Sequence, residues 1–140
     1  MTGTFYNPRE MEKNDALRIC SITLTAEYTR IDFMYCSYNK YMKDEWISLP
    51  TDIFIQINDT PLKYRLIKAI GIPIAPRKRF FKSPNEIFTF SLFFQALPPD
   101  SLSLDVIEID YPFGTFNFFR VEYSKWSTIP QAIDLPLSAN

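Results

Sequence analysis

Apolar and polar residues alternate along most of the chain with a period of two, and proline or short polar clusters break the alternation. The pattern is clearest over residues 87–123. There Ile87-Phe88-Thr89-Phe90-Ser91-Leu92-Phe93-Phe94, Leu104-Asp105-Val106-Ile107-Glu108-Ile109-Asp110 and Thr115-Phe116-Asn117-Phe118-Phe119-Arg120-Val121-Glu122-Tyr123 follow one another between Pro98-Pro99 and Pro112-Phe113-Gly114. β-branched and aromatic residues in this alternation predict three consecutive strands of an antiparallel sheet, with one face buried and the other wet. Upstream, residues 17–25 and 30–38 predict two more strands, joined near Glu27-Tyr28-Thr29. Residues 46–57 alternate Ile47, Leu49, Ile53, Ile55 and Ile57 on one parity but are interrupted at Pro50, which implies an edge strand, a bulge or two short strands. Residues 62–66 form a short alternating strand, basic on its outer side. The stretch 70–86 carries Pro73, Pro76 and Pro84 and predicts a long surface crossover.

About seven strands with almost no helical periodicity predict an all-β fold: an antiparallel two-sheet β-sandwich of immunoglobulin-like type. Residues 1–14 read as an N-terminal tail, 15–126 as the sandwich domain and 127–140 as a C-terminal tail or linker. Thirteen Phe and eight Tyr suit pleated surfaces and can fill a core between sheets. With only three Gly, turns must be built from Pro, Asn, Asp and Ser, and glycine-rich phosphate loops are excluded.

Fifteen basic and sixteen acidic residues leave a formal charge of −1, so no global field draws in nucleic acid or an anionic membrane. No apolar run is long enough to span a bilayer as a helix. Histidine is absent, which removes every Ser-His-Asp and Cys-His arrangement together with the commonest metal ligand. Accordingly no catalytic residue, metal site or cofactor is assigned, and the chain is read as a non-enzyme.

Cys20 and Cys36 are sixteen residues apart and fall on neighbouring predicted strands. The alternation places Cys20 with Ile22 and Leu24, and Cys36 opposite Ile31, Phe33 and Tyr35. A one-residue change of register therefore decides between a disulfide and two buried thiols.

Gly71-Ile72-Pro73-Ile74-Ala75-Pro76, Phe88-Thr89-Phe90-Ser91-Leu92-Phe93-Phe94-Gln95-Ala96-Leu97-Pro98-Pro99 and Leu104-Asp105-Val106-Ile107-Glu108 together resemble uncharacterised immunoglobulin-like β-sandwich domains of Bacteroidetes envelope and secreted proteins. The resemblance implies an accessory or binding domain, an extracytoplasmic location (periplasm or cell surface) in preference to a cytoplasmic one, and no catalytic residues.

Three groups of residues are candidates for chemistry. Glu108 and Asp110 share a strand face at the spacing of a glycosidase pair, and Asp105, Glu108 and Asp110 could offer oxygens to calcium. Their position at a strand end marks them more simply as wet-face acids. Arg77-Lys78-Arg79-Phe80-Phe81-Lys82 mixes cations and aromatics as single-strand nucleic-acid sites do. In a neutral chain the run reads better as a crossover that meets an anionic protein or glycan, with Phe80 and Phe81 covering the core edge. Tyr38, Tyr41 and Trp46 frame a polar loop and could form a platform for sugar rings or a protein hot spot, or simply cap the fold. Asp100-Ser101-Leu102 and Asn58-Asp59-Thr60 match short glycosylation acceptor patterns of low specificity. The function expected is a non-catalytic interaction domain for a protein partner, with carbohydrate binding through the exposed aromatics as the alternative. A nucleic-acid partner is disfavoured, and a histidine-free carboxylate enzyme ranks last.

Overall fold

The structure is a computed structural model that describes residues 2–9, 17–36, 46–57, 60–81, 86–109 and 116–130. Among these the fold is all-β, with a single 3₁₀ turn at Tyr123–Lys125. Its strands are β1 (Gly3–Tyr6), β2 (Leu17–Leu24), β3 (Tyr28–Cys36), β4 (Trp46–Ile47), β5 (Phe54–Gln56), β6 (Tyr64–Ile70), β7 (Arg79–Phe80), β8 (Ile87–Gln95), β9 (Leu104–Ile107) and β10 (Phe118–Val121). Eight of them form one curled sheet in the order β1-β2-β3-β8-β6-β5-β9-β10, every neighbour antiparallel, while β4 and β7 pair separately as a two-stranded sheet.

The long β3–β8 pairing anchors the molecule. It runs from Tyr28 opposite Gln95 to Cys36 opposite Ile87 without a break. Alternation in both strands sends Ile31, Phe33, Tyr35, Phe88, Phe90, Leu92 and Phe94 to the core. Phe33 and Phe90 face each other in register and stack, with centroids 5.0 Å apart and planes 9° off parallel. The opposite face is polar at its centre. There the Asp32 carboxylate accepts hydrogen bonds from Ser21 Oγ (2.8 Å), Arg30 Nε (2.9 Å) and Ser91 Oγ (2.5 Å). The β2–β3 turn is closed by Thr25, whose Oγ1 accepts from the backbone N–H of Tyr28 at 3.0 Å.

Register shifts between Ile19 and Ser21, between Leu66 and Lys68 and between Phe118 and Val121 bend the sheet until its ends meet. Phe33 of β3 reaches Phe118 of β10 at 5.9 Å across the core. At the closing edge Phe5 packs edge-on against Tyr123 at 5.4 Å, and Tyr6 N–H donates to Ser127 O at 2.7 Å.

Several expectations change here. The eight strands share one hydrogen-bonded order, and ten strands are described in place of about seven. Gly3–Tyr6, read as tail, is a strand on β2, and Ser127, at the start of the presumed C-terminal tail, bridges to Tyr6. Pro50 does separate two short strands, which belong to different sheets. Cys20 and Cys36 are not joined by a disulfide. The shift at Cys20 moves it off the parity of Ile22 and onto the outer face, where it packs on the small cluster that contains Met34. Arg18 pairs with Met34, so Cys20 and Cys36 lie on either side of that pair. They are therefore on the order of 10 Å apart along the strands, beyond the ~7 Å Cα separation that a disulfide tolerates. Residues 131–140 lie outside the described residues.

Candidate ligand-binding cleft

The two segments nominated from the sequence for different reasons are joined by the fold. Trp46 pairs with Phe80 and Ile47 with Arg79, so the end of the Tyr38–Trp46 loop and the basic-aromatic run form one ribbon, β4–β7. Its position follows from alternation: Ile47 and Leu49 are buried, which leaves Trp46 and Ser48 outward. Leu49 is clamped to the crossover by its N–H donating to Pro73 O (2.9 Å) and its carbonyl accepting from Ala75 N–H (3.0 Å). Ser48 Oγ donates to Arg77 O at 2.6 Å.

Phe80 and Phe81 diverge because neighbours in an extended chain face opposite ways. Phe81 is buried and stacks on Tyr35 at 4.9 Å, as expected of a core cover, whereas Phe80 is 54% exposed. The cations diverge as well. Arg79 ion-pairs with Glu86 at 2.5 Å and lies 4.4 Å over the Phe88 ring, so its charge is used within the fold. Lys78 Nζ sits 4.3 Å over the ring of Trp46, which is 46% exposed. Arg77 is exposed and is held through its backbone. Split this way, the described residues of the run form no continuous basic stripe of the kind that follows a phosphate backbone. Tyr38, Tyr41 and Lys82 lie outside the described residues.

Beneath the ribbon is a cleft of about 450 Å³. Tyr35 and Phe116 form its apolar floor, Pro50 and Pro76 its sides, and Trp46 and Lys78 its rim. In the wall stands Glu108, 6% exposed, whose backbone N–H donates to Asn117 Oδ1 at 2.9 Å. The wet-face reading of this acid is thereby corrected. Leu104 and Val106 of β9 are core residues, and Glu108, one residue past the strand, keeps their parity and so continues the buried face. That signal was present in the alternation. Asp105, on the opposite parity, lines a different, polar cavity with Gln56 and Glu122. The described acids are thus not assembled as a pair, and Asp110 lies outside the described residues. Among the described residues no three His, Cys, Asp or Glu side chains converge as a metal site would require, and no helix is long and apolar enough to cross a membrane.

Such a cleft can take an apolar side chain or small apolar group, with Glu108 accepting a hydrogen bond from an amine or hydroxyl and Lys78 donating one at the rim. No protein-family model, curated protein or solved structure matches the chain.

Proposed function

We propose that this protein is a non-catalytic interaction domain that binds an extended segment of a protein partner along the β4–β7 ribbon. The observation that carries the reading is the exposure of Trp46 and Phe80, a directly opposed pair on an isolated two-stranded sheet, above an apolar cleft. Among the described residues each strand of the ribbon is paired on one side only. A partner strand can therefore add main-chain hydrogen bonds on the free edge and place an apolar side chain beside Tyr35 and Phe116. Glycan binding is the second reading, favoured by the exposed indole of Trp46. It ranks lower because the Lys78 ammonium already covers one face of that ring.

An immunoglobulin-like, sandwich-type fold belongs to the same proposal. What supports it is that residues of β1-β2-β3-β8 and of β6-β5-β9-β10 contribute to one hydrophobic core. The extracytoplasmic accessory role implied by the resemblance is also retained as a proposal.

The test is selection of binders from a displayed random-peptide library, followed by measurement against Trp46→Ala and Phe80→Ala. Peptides that bind the wild-type chain and lose at least about tenfold in affinity to either variant support the reading, since aromatic hot spots contribute at least that much. A library that yields only peptides indifferent to both substitutions, together with Trp46-dependent binding on a glycan array, would replace it with the second.

A further inference from the structure

A second cavity, of about 460 Å³, opens at the seam where the start of β2 faces β10, and it shares no lining residue with the cleft under the ribbon. Among the described residues Arg9, Arg18, Arg120 and Lys125 line it together with one acid, Glu122. Glu122 is itself engaged by Lys125 at 3.0 Å. Among the described residues no ion pair joins Arg18 or Arg120 to a carboxylate.

Arg18 is 6% exposed. A guanidinium does not give up its proton at any ordinary pH, so the burial is that of a full charge. Only Nη2 is hydrogen-bonded, to the carbonyl oxygens of Asn7 (3.2 Å) and Arg9. Nε and Nη1 are covered and have no hydrogen-bond partner. A buried cation left in that condition is costly unless an anion nearby offsets it. Arg120 supplies a second observation. Its backbone is in the left-handed region at φ 53, which a long side chain adopts only under constraint, and Asp105 Oδ1 holds its N–H at 2.7 Å. Arg120 lines this cavity and also the polar one beside Asp105, and at this one Phe119, 62% exposed, and Trp126 add apolar surface.

We propose that this cavity binds a small organic oxyanion, a carboxylate or phosphate carried on a flat apolar body. Arg120 makes the direct charge-assisted contact at the mouth, Arg18, which has no ion pair among the described residues, contributes its charge from behind the wall, and Phe119 and Trp126 cover the apolar body. The charge is local, since the chain as a whole carries −1.

Phenyl phosphate, benzoate, phenol and benzylamine serve as probes, followed by amide and indole NMR shifts of Arg120 and Trp126. At millimolar concentration one or both anions should shift these signals, with phenol and benzylamine silent, and the relative affinity of phenyl phosphate and benzoate identifies the preferred oxyanion. Added salt should weaken binding. Arg120→Gly, which relieves the left-handed backbone and so should fold, should weaken it by about tenfold or more. Arg18→Gln should do the same where it folds, and the Arg120 variant carries the test if it does not. Equal binding of phenol and the anions, silence of both anions, or unchanged affinity in Arg120→Gly would each overturn the site.

Discussion

Tyr123 shows how one side chain can tie a polar atom into an aromatic core. It is fully buried, and its hydroxyl donates to the Ser101 carbonyl at 2.8 Å. Burial disfavours the phenolate and pushes the pKa up to about 12, the Ser101 side chain opposing this in part and the Asp100 charge adding to it. The folded chain therefore holds this proton more tightly than the unfolded chain does. The resulting stability is complete below the unfolded pKa near ~10 and is lost as pH rises through the folded value. Tyr123→Phe should be less stable than wild type at neutral pH by about 1 kcal/mol for the lost hydrogen bond. Between about pH 10 and 12 the wild-type chain should then lose on the order of 2 kcal/mol that the variant does not lose. Urea titrations of both chains across that range check this, and parallel curves would refute it. Gly71 is constrained differently: at φ +85 a Cβ would lie 3.2 Å from the Thr89 carbonyl oxygen. Gly71→Ala should cost about 1–3 kcal/mol, because both the backbone conformation and the approach to β8 are unsuited to a side chain. Burial also raises the pKa of the half-buried Cys20, although Arg18 beside it opposes the shift. Intact mass should accordingly be the same with and without reductant. Alkylation at neutral pH should be slow at Cys20 and should reach Cys36 only on unfolding; a two-dalton reductant-dependent shift would mean that the thiols are bridged.

At the level of elements, strands with two clear faces were legible and those without them were not. Residues 17–24, 28–36, 87–95 and 104–107 announce themselves by β-branched and aromatic alternation, and their boundaries follow within a few residues. β7 hides because two residues cannot display a period, and Arg77-Lys78-Arg79 looks like solvent-facing loop. β1 hides because four residues precede a polar stretch, and its only apolar anchor, Phe5, is buried by Tyr123 from the far end of the sheet. The parity error in β2 had a visible cause: the core residues Ile19 and Ile22 are three apart, which a strand of strict period two cannot bury together, so a bulge was implied. For the cleft, Trp46 and the 77–81 run could be nominated from residue type, but their pairing depends on a long-range contact between β4 and β7. Phe80 and Phe81 give the sharpest check of this element. Phe81→Ala removes a buried ring stacked on Tyr35 and should cost about 3–5 kcal/mol, whereas Phe80→Ala should stay within roughly 0.5 kcal/mol. Denaturant midpoints of the two variants decide it, and equal losses would mean that the ribbon does not sit as described.

For the molecule as a whole, the two proposed sites have different origins in the fold. The ribbon covers one cleft beside Tyr35 and Phe116, and the seam between β2 and β10 leaves the other. The seam is also the weakest line of the fold. Across most of the sheet, adjacent strands share continuous ladders, but among the described residues the closing edge relies on the Phe5–Tyr123 contact and the Tyr6-to-Ser127 hydrogen bond. Backbone groups there should open at lower free energy than those of β3 and β8, because few contacts must break together. Phe5→Ala deletes the apolar half of the closure. In native-state hydrogen exchange it should lower protection at Tyr6 and at Phe118–Val121 together, although these are distant in sequence, while the β3 and β8 amides retain the higher protection of the global transition. Loss confined to β1 would show that the two ends are not coupled, and a uniform loss across all strands would show that the curled sheet opens as one unit without a seam.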